Sequence, residues 1–265
     1  MKTLVVSDLH VGSFEGLTVP KFVVKMPNGD KRVFLATTDQ LKLWKLWVKM
    51  IRDVGPVDAL LIAGDTVDGH QERDKGKHLW TNDIALQVRV AVQLLGMIPI
   101  KHPKNRWLVT GSHYHVEENA NFDGLVAQQL GLGEQHYGPE LYINLGGKTV
   151  HLQHFIGVSM SSYRTTSIER EKLMALLAED MTGIKTDIVV RGHAHYHRLV
   201  KDYRNIGFIN PCWQFRTPFC AKRIGLAAQP EIGYTVIEID GDDVSVDTTI
   251  HKTVQKPEVG RCVSA

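Results

Sequence analysis

The stretch "ALLIAGDTVDG", Ala59 to Gly69, decides how the rest of the chain is read. A short, uninterrupted apolar run closed by a glycine reads as a buried strand. The carboxylates behind it, Asp65 and Asp68, fall where open α/β sheets place chemistry, because the strand is rigid and the loop is free to carry polar groups. The same arrangement recurs along the chain. "SDLH" closes an N-terminal strand with Asp8 and His10; "RWLVTGSHYHVEEN", Arg106 to Asn119, runs through a glycine into His113 and His115; "HLQHF" ends in His154, and "RGHAHYH" carries His193 and His195. Of 13 histidines, eight (His10, His113, His115, His151, His154, His193, His195 and His197) lie in these few turns.

Working outward, strand-like runs alternate with helical periodicity. Thr3 to Val6 is β-branched, and Val19 to Lys25 with Arg32 to Ala36 flank an Asn28-Gly29 hairpin signal. Thr38 is read as the N-cap of a helix that places Leu41, Trp44, Trp47, Val48 and Ile51 on one face and stops at Gly55. Asn82 to Leu95 and Ser167 to Met181 are further helices, the second with capping-box spacing between Thr166 and Glu169. Further strands are expected at 107–110, 141–144, 149–154, 187–190 and 206–210, followed by a hairpin of 233–239 with 244–250 around "DGDD". The order is α/β at first and more antiparallel later, which suggests two sheets packed together.

A chain of 265 residues, 43% hydrophobic and 23% charged, is expected to form one domain spanning 1–265. A formal charge of +2 implies no long-range field that gathers nucleic acid non-specifically. Cys212, Cys220 and Cys262 have no paired spacing, and no apolar run is long enough to span a bilayer. A cytoplasmic protein with reduced thiols and no membrane partner is expected; the oligomeric state is left open.

Carboxylates and neutral imidazoles together suit first-row divalent ions such as Mn, Zn or Fe, and the turns contain no thiols for a sulfur-ligated structural zinc. In an extended chain residues two apart share a face, so Asp8 with His10, and His193 with His195, can each point at one centre. A carboxylate such as Asp65 can bridge two ions roughly 3.5–4 Å apart, the separation at which a shared hydroxide attacks phosphorus in line. Asp68 is read as a helix or loop cap or as a partner that orients a ligand histidine, His151 as facing away from His154, and His197 as a surface residue.

"DLH", "GDTVDG", a strand-end glycine with histidine, a later strand histidine and "GHAH", in that order from Asp8 to His195, resemble the calcineurin-like metallophosphoesterase superfamily. The resemblance implies a four-layer αββα fold, a two-sheet β-sandwich flanked by helices. It implies two divalent ions, Mn first, with Asp8, His10 and His195 on one, His154 and His193 on the other, and Asp65 between them. The sequence departs from the family at "GSHYH", where the family has Gly-Asn-His. Either Ser112 or a water stands in for the asparagine and His113 is catalytic, or His113 takes the ligand place and His115 is catalytic, or one metal site is weakened. Similarity to phage- and prophage-type members favours His115. The implied activity is phosphoester hydrolysis. A phosphodiester is favoured, with nucleic acid or a nucleotide as candidate substrate, because no capping domain is evident and Arg191, Arg198 and Arg216 lie in or after the last metal turn. The alternative is an inactive binding or scaffold protein on the same fold.

Overall fold

The computed structural model describes residues 1–25, 29–71, 75–112, 121–157, 163–218 and 229–253. Strands β1 (Lys2–Val6), β4 (Ala59–Ile62), β5 (Arg106–Val109) and β6 (Tyr137–Gly138) pair in parallel. The long hairpin of β12 (Ile232–Asp240) and β13 (Asp243–His251) joins antiparallel to β1, giving the order β13-β12-β1-β4-β5-β6. The second sheet runs β10-β11-β9-β8-β7, from β7 (Glu140–Leu145), β8 (Lys148–Gln153), β9 (Ile188–Arg191), β10 (Arg198–Lys201) and β11 (Ile206–Ile209). Its three inner strands are parallel and its two edges antiparallel. β2 (Lys21–Lys25) and β3 (Lys31–Leu35) form a separate hairpin, with the expected Asn28 outside the described residues.

Alternation along the strands creates the layers. Leu4, Val6, Leu60 and Ile62 face a core shared with helices α1 (Thr38–Val54), α2 (Ile84–Gly96) and α3 (Phe122–Gln129). Their neighbours Val5, Ala59 and Leu61 face Val150, Leu152, Ile188, Val190 and Phe208 of the second sheet. On that sheet's outer side, Val189 and Ile209 lie under Ile168 and Ala175 of α4 (Thr166–Thr182). The result is helix, sheet, sheet, helix, as expected. No helix among the described residues is long and apolar enough to cross a membrane.

Three local readings are corrected. The cap of α1 is Thr37, in a reciprocal capping box with Gln40. Its buried residues are Gln40, Leu43, Trp47, Met50 and Val54, while Val48 is exposed and Leu41, Trp44 and Ile51 only flank the core. Both apolar sets have helical spacing; the sheet selects the one that lets Trp47 meet the edge of Trp213, ring centroids 4.9 Å apart. In α4 the Thr166–Glu169 capping box does not form. Thr166 is already helical, and Thr165 at the N-cap has an αR backbone and no side-chain cap bond. Helix α3 and strand β10 were not anticipated. α3 has only eight residues with a glycine inside, and its signal is the cap at Asn121, which accepts from the Gly124 N–H at 3.0 Å.

Candidate metal centre

Because β1, β4 and β5 are parallel, their C-terminal turns emerge at one end of the sandwich, and backbone bonds tie them together. The Asp8 N–H donates to Gly64 O and the His10 N–H to Asp65 O, both at 3.0 Å. In the second sheet the Gly192 N–H donates to His154 O at 3.0 Å, bringing the turns after β8 and β9 side by side. Five of the six metal-ligand candidates have left-handed backbones: Asp8 (φ 55°), His10 (47°), Asp65 (49°), His193 (68°) and His195 (56°). For residues with a Cβ this costs on the order of 1 kcal/mol each, and such strain gathers where chemistry needs it.

The turns assemble two sets of donors, Asp8/His10/His195 and Asp65/His154/His193, the ligand atoms within each set lying within 4.8 Å of one another. Asp8 and His10 share a set as expected, whereas His193 and His195 divide between the two. All four residues have positive φ, so the extended-chain argument holds for neither pair, and the turn after β9 sends its two histidines to different sets. Asp65 stands between the sets, its Oδ2 3.0 Å from His154 Nε2 and 3.9 Å from His10 Nε2. Asp8 Oδ1 lies 3.2 Å from His195 Nε2 and 3.7 Å from His10 Nε2, while its Oδ2 accepts from the Ser7 hydroxyl and the His193 N–H.

The donor atoms are turned to receive a cation. His154 Nδ1 sits 2.6 Å from the Ala63 carbonyl, which can only accept, so the proton is on Nδ1 and the Nε2 lone pair points at Asp65. His10 Nδ1 lies 2.8 Å from Asp68 Oδ1, so its Nε2 faces His195 Nε2 at 3.2 Å. Asp8 Oδ1 and His154 Nε2 are buried with no hydrogen-bond partner. Acceptors facing acceptors at 3 Å in a buried site are repulsive unless a proton or a metal cation lies between them. The field has the same sign. Burial opposes protonation of His154, yet the Asp65 charge and contact hold its pKa up at about 9; burial likewise opposes His10, whose pKa the Asp68 bond drives well up. Asp8 stays well below the carboxylate range despite burial, because His195 and His10 face it. Burial and the nearby His154 charge pull His193 down to about 4.

The surroundings hold Asp65 in place. The Ser112 N–H donates to Asp65 Oδ1 at 2.8 Å, and the Ser112 hydroxyl lies 3.1 Å from Oδ2. A side chain at Gly111 would overlap that carboxylate, and one at Gly192 would overlap the Ser7 hydroxyl. Buried Asp123, at the start of α3, accepts from the Gly111 N–H at 2.8 Å and the Thr66 N–H at 3.1 Å, joining the Asp65 turn to the Ser112 turn. Asp123 was missed because α3 was missed. Phe155, beside His154, is 60% exposed with its ring 4.9 Å from that of His193, another contact the sequence did not signal.

Other candidates go elsewhere. His113 and His115 lie outside the described residues. Asp68 orients His10, as expected. His151 pairs with Glu140, its Nε2 2.8 Å from the carboxylate. His197 is half-buried rather than at the surface, with Nδ1 2.9 Å from Ile209 O and its N–H on Glu231. Arg191 is buried and binds Glu171 at 3.1 Å, and Arg198 lies 3.4 Å from Glu231 and over the Tyr196 ring. Neither is free to hold a flanking phosphate.

The model of the calcineurin-like phosphoesterase family matches residues 1–207. No curated protein matches the sequence. Among solved structures, Vps29 from Chaetomium thermophilum is 11% identical, with 94% of this chain and 97% of that chain covered and a TM-score of 0.46. A novel archaeal phosphodiesterase is 8% identical, with 94% and 100% covered and a TM-score of 0.44. Wild-type Vps29 from Entamoeba histolytica, complexed with zinc, is 14% identical, with 94% and 99% covered and a TM-score of 0.41. The assignment rests on the family model, which takes in all six turn residues that form the two donor sets, and on that ground the chain belongs to the calcineurin-like phosphoesterase family.

Proposed function

We propose that this protein is a metal-dependent phosphoester hydrolase that holds two divalent ions, Mn in the first instance. Asp8, His10 and His195 would hold one, His154 and His193 the other, with Asp65 shared. The observation that carries this reading is the position of Asp65, whose Oδ2 faces a histidine of each set at 3.0 and 3.9 Å. When bound, two such ions supply Lewis acidity toward phosphate oxygens and a water acidified toward neutrality. The chain supplies the rest. Asp68 and the Ala63 carbonyl fix the tautomers of His10 and His154, so that each presents Nε2. Ser112 and Asp123 hold Asp65 in its turn. The role of supplying the proton for the leaving oxygen is assigned to His115 of "GSHYH", and that of replacing the family's asparagine to His113.

A phosphodiester is the favoured substrate. Its second organic group needs room, and among the described residues the Phe155 ring is exposed and His193 and His195 are partly exposed at that edge. Arg191 and Arg198 give this preference no support.

The test is hydrolysis of nitrophenyl mono- and diester reporters by chelator-treated protein reloaded with Mn, Zn or Fe. Diester turnover that depends on added ion is expected. No turnover of either reporter with any of the three ions would overturn the enzyme reading, and far faster monoester turnover would overturn the diester preference.

A further inference from the structure

The turn after β8 carries an aromatic ring that the core does not use. Phe155 is 60% exposed between two buried neighbours, the donor His154 and the core residue Ile156. That buried, exposed, buried order turns the ring outward at the end of the sandwich where the donor sets lie. On its inner side it meets His193, ring centroids 4.9 Å apart and planes inclined at 38°. His193 in turn meets the ring of His154 at 5.2 Å and 75°. Phe155 therefore leans on one donor of the Asp65/His154/His193 set and follows another in sequence, with most of its surface open.

Single apolar side chains at a surface are common and carry no meaning by themselves. The meaning of this one comes from its place. A phosphoester received by that donor set must carry an organic group past the Phe155 ring. A phenyl face gains most from a second planar ring, laid offset or edge-on, beyond the area it covers. A nucleobase is such a ring, and only a sugar separates it from its phosphate, so it can lie on Phe155 while the phosphate stays at the donors. Phenylalanine has no hydrogen-bonding group with which to choose among bases, so the plane is recognised and the sequence is not.

We propose that Phe155 is a stacking platform for a nucleobase of the phosphoester substrate. The inference rests on the reading of the donor sets as a phosphoesterase centre. It makes the substrate a nucleotide ester in which one base, of any identity, lies on Phe155.

The test is equilibrium binding to Mn-loaded protein by calorimetry, comparing thymidine monophosphate with deoxyribose phosphate, which lacks the base. Wild type should bind the nucleotide at least ~10-fold tighter, within what stacking of a base on an aromatic side chain contributes. Phe155→Ala should lose at least ~5-fold of that preference, and Phe155→Trp should keep it. Damage to His154 or His193 would weaken both ligands together and leave their ratio unchanged. Equal affinities in wild type, or a ratio that Phe155→Ala does not alter, would overturn the proposal. Binding also separates the two readings. A base preference removed by Phe155→Ala, in protein that hydrolyses no reporter, would refute the enzyme and support the platform; turnover without any base preference would refute the platform alone.

Discussion

At the scale of single residues, the site is made by small devices that aim donor atoms. A carbonyl at 2.6 Å from His154 Nδ1 fixes one tautomer, and Asp68 at 2.8 Å from His10 Nδ1 directs another. Five left-handed backbones turn the side chains inward. The two loop histidines should separate by function. His115→Ala is expected to keep its metal and lose ~10²–10⁴-fold in turnover, less for leaving groups that need no proton. His113→Ala should weaken the second ion instead, as read by metal titration. The opposite result, intact metal with a leaving-group-dependent defect only in His113→Ala, would place Ser112 at the asparagine position. The six residues that gather in the two groups were named in the sequence through the motif resemblance, since DxH, GD, a later strand histidine and GHxH in that order single them out. The partition of His193 and His195 between two sets was not legible from periodicity, which assumes an extended backbone, and positive φ cannot be read from these residue types.

At the scale of elements, β8, β9 and α4 are joined by Arg191. Its guanidinium binds Glu171 and approaches His151 Nδ1 at 3.2 Å, so that nitrogen accepts and cannot carry a proton. Burial first, and Arg191 second, pull the His151 pKa down to about 4. A base held below its unfolded value of about 6.5 stabilises the fold fully above that pH, and the contribution is lost as pH falls toward 4. His151→Gln should therefore lose about 2–3 kcal/mol less than wild type between pH 7 and 4 in chemical denaturation, whereas parallel stability profiles would contradict this. Arg191 shows how far the sequence could be read. Its position at a strand end beside the metal turn was clear, but its partner Glu171 comes from a helix packed on the sheet's outer face. The face of α1 was misassigned for a related reason. Leu41–Trp44–Trp47–Val48–Ile51 and Leu43–Trp47–Met50–Val54 both repeat at helical spacing and share Trp47, and only the sheet beneath chooses between them.

At the scale of the whole molecule, two sheets packed face to face gather turns from β1, β4, β5, β8 and β9 at one end, so residues as far apart in sequence as Asp8 and His195 come within 3.2 Å. That convergence was legible because the strands ended alike. The layer order followed from it. The central claim is that the two donor sets work as one centre through Asp65. It is tested most directly by metal content, with wild type and Asp65→Asn both stripped, reloaded with Mn, desalted and analysed by elemental mass spectrometry. About two ions per wild-type chain are expected, as a two-metal site requires, and Asp65→Asn, folded by circular dichroism, should lose both ions and most of its turnover. A folded Asp65→Asn protein that retains full metal content would contradict the account.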